Sequence, residues 1–307
     1  MKISLIVPCF NEEGNVKTFY EETIKTFKDT KYKIEIVYVN DGSKDNTLME
    51  LKSIVKESKI DVKVINFSRN FGKEAGIYAG LKECRGDYAV IIDADMQQPP
   101  KLILPMLKEI EKNSDVDIVC YYQEKRKEGK LLSLFKKMFY RVMSKSMNMN
   151  IQDGASDFRL FNRKVINTIL EISEHDRFSK GIFNWIGYNT KYLPYVPEKR
   201  QSGKTSWSFK SLLRYGINGI LSFSSKPLKI IYKLGIIDLL ISLIWYIINI
   251  VNCLVIESYI IPSIVLLFGI NNIVLGVISE YIYRSYNETR NRPIYIIKDV
   301  LSNEKNK

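Results

Sequence analysis

Tyr88-Ala89-Val90-Ile91-Ile92-Asp93-Ala94-Asp95 is an apolar run of strand character that stops on two carboxylates one residue apart. Side chains alternate faces along a strand, which puts Asp93 and Asp95 on one side, where together they suit a hard divalent cation as the strand leaves the sheet. Open α/β sheets bind their ligands beyond the carboxyl ends of the strands. An Asp-x-Asp pair after a strand is also the pattern of a solvated turn or a helix cap, so its meaning rests on what surrounds it.

Upstream, strand-like runs alternate with helical patterns. Ile3–Val7 precedes a helix from Glu12 to about Thr30, Ile34–Val39 precedes one from Asn46 to Ser58, and Val62–Phe67 precedes one from Glu74 to Lys82. Downstream come a helix near Leu102–Lys112 and a strand from Asp117 to Tyr122. Such alternation predicts a mostly parallel sheet covered on both faces. Three further segments fall at the ends of the early strands: Pro8-Cys9-Phe10-Asn11-Glu12, Asn40-Asp41-Gly42-Ser43-Lys44-Asp45 and Ser68-Arg69-Asn70-Phe71-Gly72-Lys73. Each alone reads as an ordinary strand-to-helix turn with an Asn, Asp or Ser cap. Gathered with Asp93 and Asp95 at one end of one sheet, they predict a ligand crevice.

At 307 residues and 46% hydrophobic content the chain can bury a full core, in one large domain or two ordinary ones. Leu234–Ile256 and Ile260–Tyr283 are long apolar stretches, interrupted chiefly by Asp238 and Glu257. Each is near the roughly 20 residues a helix needs to cross a bilayer. Two buried core helices are the alternative, but two adjacent stretches of this length favour a membrane hairpin. Arg214, Lys226, Lys229 and Lys233 precede the first stretch, Arg284, Arg290, Arg292 and Lys298 follow the second, and the turn near Glu257 has no Lys or Arg. The positive-inside rule then leaves the N-terminal part and both chain ends in the cytoplasm, at the cell (inner or plasma) membrane. A net charge of +12 fits an anionic bilayer surface and anionic phosphate substrates, and no base-reading motif supports a nucleic-acid partner.

Leu131, Leu134, Phe135, Met138, Val142 and Met149 recur at helical spacing with Lys136, Lys137, Arg141 and Lys145 off that stripe. This is either a packed amphipathic helix or one lying in the headgroup layer; Trp207–Phe223 is a second such candidate, and its position directly before the hairpin favours the headgroup reading for it. Cys9, Cys84, Cys120 and Cys253 have neither metal spacing nor a secreted disulfide context and read as reduced packing residues. His175 lies in a polar run and reads as a surface residue, the run 3–7 is too short for a signal peptide, and 303–307 reads as a frayed tail. The expected organisation is a domain over 1–206, a juxtamembrane amphipathic segment over 207–229, two transmembrane helices over 230–284 and a cytoplasmic tail over 285–307.

Seven segments in order resemble the family 2, A-type (GT-A) glycosyltransferases that act on polyprenyl phosphates. They are VPCFNEE (7–13), VNDGSKDNT (39–47), SRNFGKEAGIYAGL (68–81), DADMQQPP (93–100), GASDFRLFNR (154–163), RQSGKTSW (200–207) and EYIYRSYNETRNRPIYI (280–296). The resemblance covers almost the whole chain. It implies a Rossmann-like α/β GT-A domain, then interface helices and a two-helix membrane hairpin. It also implies an inverting transfer of one hexose, glucose foremost, from a UDP- or GDP-sugar to a polyprenyl phosphate, undecaprenyl or dolichyl, and the Lys, Ile and Asn richness of the chain favours undecaprenyl. The implied donor contacts are Pro8, Phe10, Asn11, Glu12, Asp41 as base reader, Ser43, Lys73 at the diphosphate, Asp93 and Gln97. Mg²⁺ or Mn²⁺ is implied on Asp93 and Asp95, where it acts as a Lewis acid toward the leaving diphosphate. Asp157 inherits the role of catalytic base, or else positions metal or acceptor, and Arg200 that of binding the lipid phosphate, with Arg159 and Lys204 as further compensating cations. Gly203, Ser206 and Trp207 read as a lid, and a homo-oligomer packed through the hairpin is a further implied partner. A processive synthase is disfavoured because the chain has no Gln-x-x-Arg-Trp motif. An inert membrane-tethered module that binds nucleotide or anionic lipid is the alternative from another class.

Overall fold

The structure is a computed structural model that describes residues 1–123, 152, 154–175, 177–196, 233, 237, 240, 241, 244 and 257–303. Its centre is one eight-stranded sheet of order β7-β5-β6-β4-β1-β2-β3-β8. The strands are β1 (Lys2–Cys9), β2 (Lys33–Asn40), β3 (Asp61–Phe67), β4 (Tyr88–Ile91), β5 (Ile118–Gln123), β6 (Ala155–Asn162), β7 (Thr190–Tyr195) and β8 (Ile297–Ser302). Pairing is parallel between β1 and β2, β1 and β4, β2 and β3, and β5 and β7. Only β6 and β8 run against the rest.

The helices that cover this sheet are α1 (Asn15–Phe27), α2 (Thr47–Glu57), α3 (Lys73–Glu83), α4 (Ile103–Lys112), α5 (Arg163–Glu171) and α6 (Ser179–Trp185). The near-continuous apolar text of β1 and β2 has its cause here, since strands covered on both faces have no polar side. Leu5, Val7, Ile36 and Tyr38 enter one core layer with Val16, Phe19 and Leu51 of α1 and α2. Ile6, Val37 and Val39 enter the other with Ala75, Ala79 and Leu81 of α3. Cys9, Cys84 and Cys120 are free and buried, in keeping with packing roles.

Three features depart from the sequence reading. The strand before the carboxylates ends at Ile91, so Asp93 and Asp95 stand in the following turn and are not brought together by strand alternation. Met96 there takes a left-handed φ of 61°, and Asp95 Oδ1 accepts the Gln97 amide at 3.1 Å, which closes the turn. Next, β6 inserts between β4 and β5, a non-local antiparallel pairing with no local signal. Finally, the stretch read as a tail, 285–307, supplies β8, which pairs with β3 at Val64 opposite Leu301 and Asn66 opposite Asp299. Phe67 stacks on Tyr295 at 4.9 Å, and Ser68 N–H donates to the Ile296 carbonyl at 3.0 Å, so the returning chain is built into the domain.

The second apolar stretch lies within α7 (Glu257–Thr289), a continuous helix of 33 residues. Leu267, Phe268, Ile273, Leu275 and Ile282 are among its exposed side chains. Over the described residues alone no helix is long and apolar enough to cross a membrane. The side chains at 261, 262, 265 and 266 stand outside that set, as does most of the first stretch, 234–256. The segments 124–150 and 197–232, with the two amphipathic candidates, Arg200, Lys204 and the lid residues, also lie outside the described residues.

Candidate active site

The strand order places β1 between β2 and β4, so the chain winds away from β1 in both directions and a crevice opens beyond its carboxyl end. One wall is a pair of interlocked loops. Asn11, at a left-handed φ of 56°, donates its backbone N–H to Ser43 Oγ at 3.0 Å, and its own Oδ1 accepts from Lys44 N–H at 2.9 Å. Glu12 N–H donates to Thr47 Oγ1 at 2.8 Å, Glu13 N–H to Asp45 Oδ2 at 3.1 Å, and Glu12 Oε2 accepts from Asn15 Nδ2 at 2.6 Å. Phe10 is left 45% exposed at the rim, while Pro8 packs toward Gly76 of α3.

Asp41 holds the next loop. Its carboxylate is buried and accepts the amides of Phe71 at 2.6 Å and Gly72 at 2.9 Å. Burial raises its carboxyl above the ordinary value, with those two donors and Arg69 pulling the other way. These hydrogen bonds tie β2 to the turn that starts α3. Gly42 makes that closure possible: its φ is +66°, and an added Cβ would stand 2.5 Å from the Arg69 carbonyl carbon and 2.6 Å from Asn70 N.

Lys73, the first residue of α3, bridges the two walls. Its Nζ lies 2.7 Å from Asp93 Oδ1 and 3.3 Å from Asp157 Oδ2, so a lysine and an aspartate 84 positions apart meet across the crevice. Burial alone would lower the lysine, but Asp93 and Asp157 outweigh it and hold it well above its ordinary value. Burial alone would raise the Asp157 carboxyl; Lys180, Lys73 and Arg159 reverse this and hold it well below the usual carboxylate range. Antiparallel pairing of β6 with β4, Ile91 opposite Arg159, carries Asp157 to the level of the Asp93 turn. Gln98 Nε2 donates to the Tyr195 hydroxyl at 2.8 Å, tying the same turn to β7.

The structure thus brings Lys73, Asp93 and Asp157 together, joins Asn11 to Ser43 and sets Gln97 on Asp95. Among the described residues no three His, Cys, Asp or Glu side chains converge as a metal cage. Asp93 and Asp95 still fit a hard cation of the Mg²⁺ or Mn²⁺ type, which takes one or two carboxylates and completes its shell with phosphate oxygens and water. The sequence reading missed Lys180 and Glu74. Phe178-Ser179-Lys180-Gly181 reads as an unremarked helix start, and only the fold sets it against Asp157.

A mostly parallel α/β sheet with a carboxylate and lysine crevice at its strand-order reversal is the architecture in which open sheets bind their ligands. Residues 4–170 match the family described as glycosyl transferase family 2, and the chain belongs to that family. It is 41% identical over 303 residues to CsbB of Bacillus subtilis (strain 168), which bears a glycosyltransferase name, covering 97% of this chain and 91% of that protein. It is 35% identical over 314 residues to the bactoprenol glucosyl transferase of Shigella phage SfV, covering 100% of both. A crystal structure of S. aureus TarS 1-349 in complex with UDP-GlcNAc aligns with a TM-score of 0.48 at 16% identity, over 73% of this chain and 68% of that one.

Proposed function

We propose that this glycosyltransferase moves one hexose, glucose by its likeness to the bactoprenol enzymes, from a UDP- or GDP-sugar to undecaprenyl phosphate at the cytoplasmic face of the cell membrane. The observation that carries the reading is Asp93 and Asp157 held on one lysine at the strand-order reversal, in a chain similar end to end to a bactoprenol glucosyl transferase.

The acceptor phosphate is largely dianionic at neutral pH and is already a nucleophile. Its oxygen forms the new bond to the anomeric carbon as the bond to the nucleoside diphosphate breaks on the opposite face, so configuration inverts. Mg²⁺ or Mn²⁺ on Asp93 and Asp95 would supply Lewis-acid stabilisation of the departing diphosphate. Lys73 brings a fixed positive charge to the same place. Asp157, ionised and held between Lys73 and Lys180, positions those two ammonium groups; a carboxylate so stabilised is a weak proton acceptor. Arg200 is assigned to the lipid phosphate, and Phe10, Asn11 and Ser43 to the nucleoside side of the crevice.

The exposed apolar side chains of α7 support a membrane location, since a soluble surface rarely carries so long an apolar stripe. At 1.5 Å per residue the helix is roughly 50 Å long, more than the roughly 30 Å hydrocarbon core. Pairing of β8 with β3 returns the chain to the sheet it left, which supports a hairpin over a single crossing. The test is incubation of the purified full chain with undecaprenyl phosphate, Mg²⁺ or Mn²⁺ and a panel of sugar nucleotides, following nucleoside diphosphate and glycolipid together. One donor should yield a glycolipid that EDTA abolishes. Nucleotide binding with no product under any condition would favour the inert module instead.

A further inference from the structure

Asp157 has a second cation on its far side. Lys180 Nζ lies 3.9 Å from Asp157 Oδ1, while Lys73 takes Oδ2. Two residues along β6, Arg159 is 1% exposed, and both its terminal nitrogens lack a hydrogen-bond partner among the described residues. Among the described residues only its Nε is hydrogen-bonded, to the Ser156 carbonyl at 3.2 Å, with the Phe183 ring 5.1 Å from the guanidinium. A buried cation with so little compensation is costly. On this side two cations, Lys180 and Arg159, therefore face one carboxylate whose other oxygen is already shared with Lys73. Such a wall favours the arrival of negative charge.

Lys180 is also aimed. The Glu74 carboxylate accepts the Ser179 backbone N–H at 3.0 Å and the Ser179 hydroxyl, which pins the first turn of α6 to the first turn of α3. Glu74 follows Lys73, and Ser179 precedes Lys180. One side chain thus sets the spacing of the two ammonium groups that flank Asp157.

We propose that Lys180, aimed by Glu74 and backed by Arg159, binds the phosphate of the acceptor on the side of Asp157 away from Lys73. The acceptor class rests on the function proposed above; the placement rests on the geometry. Lys180 is a binding residue and Glu74 a positioning residue, acting through Ser179.

The test uses the full chain in detergent with farnesyl phosphate as a soluble prenyl phosphate, farnesol as its uncharged control and UDP as the donor-side probe, each followed by calorimetry. Lys180→Ala should weaken farnesyl phosphate about tenfold or more, the loss of one charge-assisted contact, with UDP affinity kept within about twofold. Lys180→Arg should restore most of that binding, and Lys180→Gln, of similar size, should not. Glu74→Gln should raise KM for the lipid with KM for the donor unchanged, a split that general loosening of the fold would not produce. Farnesyl phosphate bound equally by wild type and Lys180→Ala, or UDP weakened in parallel, would overturn the assignment. Wild type that binds farnesol as well as farnesyl phosphate and makes no glycolipid would instead overturn the acceptor class, and this proposal with it.

Discussion

Replacing Gly42 by Ala should damage the donor side of the crevice far more than the same change at Gly14. Both residues have a left-handed φ, +66° and +79°, so both substitutions carry roughly 1–2 kcal/mol of backbone strain. Around Gly14 an added Cβ meets nothing within 4 Å, whereas at Gly42 it would lie 2.5, 2.6 and 2.9 Å from backbone atoms of Arg69 and Asn70. Backbone cannot swing aside as a side chain can, so the two loops must part, at about 1–3 kcal/mol for overpacking. Parting them also stretches the hydrogen bonds from Phe71 and Gly72 to Asp41, each worth about 1.5–3 kcal/mol as a bond to a charged group. Strain and overpacking alone come to about 2–5 kcal/mol for Gly42→Ala, before any weakening of those bonds, against about 1–2 for Gly14→Ala. Thermal unfolding of the full chain in detergent should show Tm falling by roughly 10 °C and roughly 4 °C respectively. Calorimetric titration with UDP should show at least a tenfold affinity loss for Gly42→Ala alone. Equal effects of the two substitutions on Tm and on UDP binding would refute the claim that loop closure through Asp41 shapes this wall.

Asp157 has its carboxyl held well below the ordinary value, so the stability it confers is fully present above about pH 4 and lost only as pH falls through the depressed folded value. A profile of kcat from pH 5 to 8 should therefore carry no inflection from Asp157; Asp157→Asn should lower the plateau without moving any inflection, and an inflection that vanishes in this variant would restore the general-base role. Asp93→Ala should abolish glycolipid formation while leaving the protein in the membrane fraction, which quantitative blotting of membranes checks. Deleting 293–307 removes β8, the Tyr295 stack on Phe67 and the 2.6 Å bond from Asn66 Nδ2 to Asp299, and bares the β3 edge. That truncation should lower Tm and increase aggregation on light scattering; a truncated chain as stable and monodisperse as the full one would show that β8 is dispensable.

The first half of the sheet and the chemistry at its strand ends were legible in the sequence by itself. Strands covered on both faces leave near-continuous apolar runs, and the turns that follow must be Gly, Asn, Asp or Ser, so β1 to β4 and the segments at 8–12, 40–45, 68–73 and 93–95 carry local signals. Family membership follows from those same segments. Tertiary structure alone decided that β6 enters the sheet against β4 and brings Asp157 onto Lys73, that Glu74 aims Lys180 through Ser179, and that β8 returns to pair with β3. It also placed Asp41 on the Phe71 and Gly72 amides. The physical reason is range: periodicity and turn chemistry act over a few residues, whereas pairing register and an ammonium shared by carboxylates at 93 and 157 depend on which surfaces the whole chain buries together.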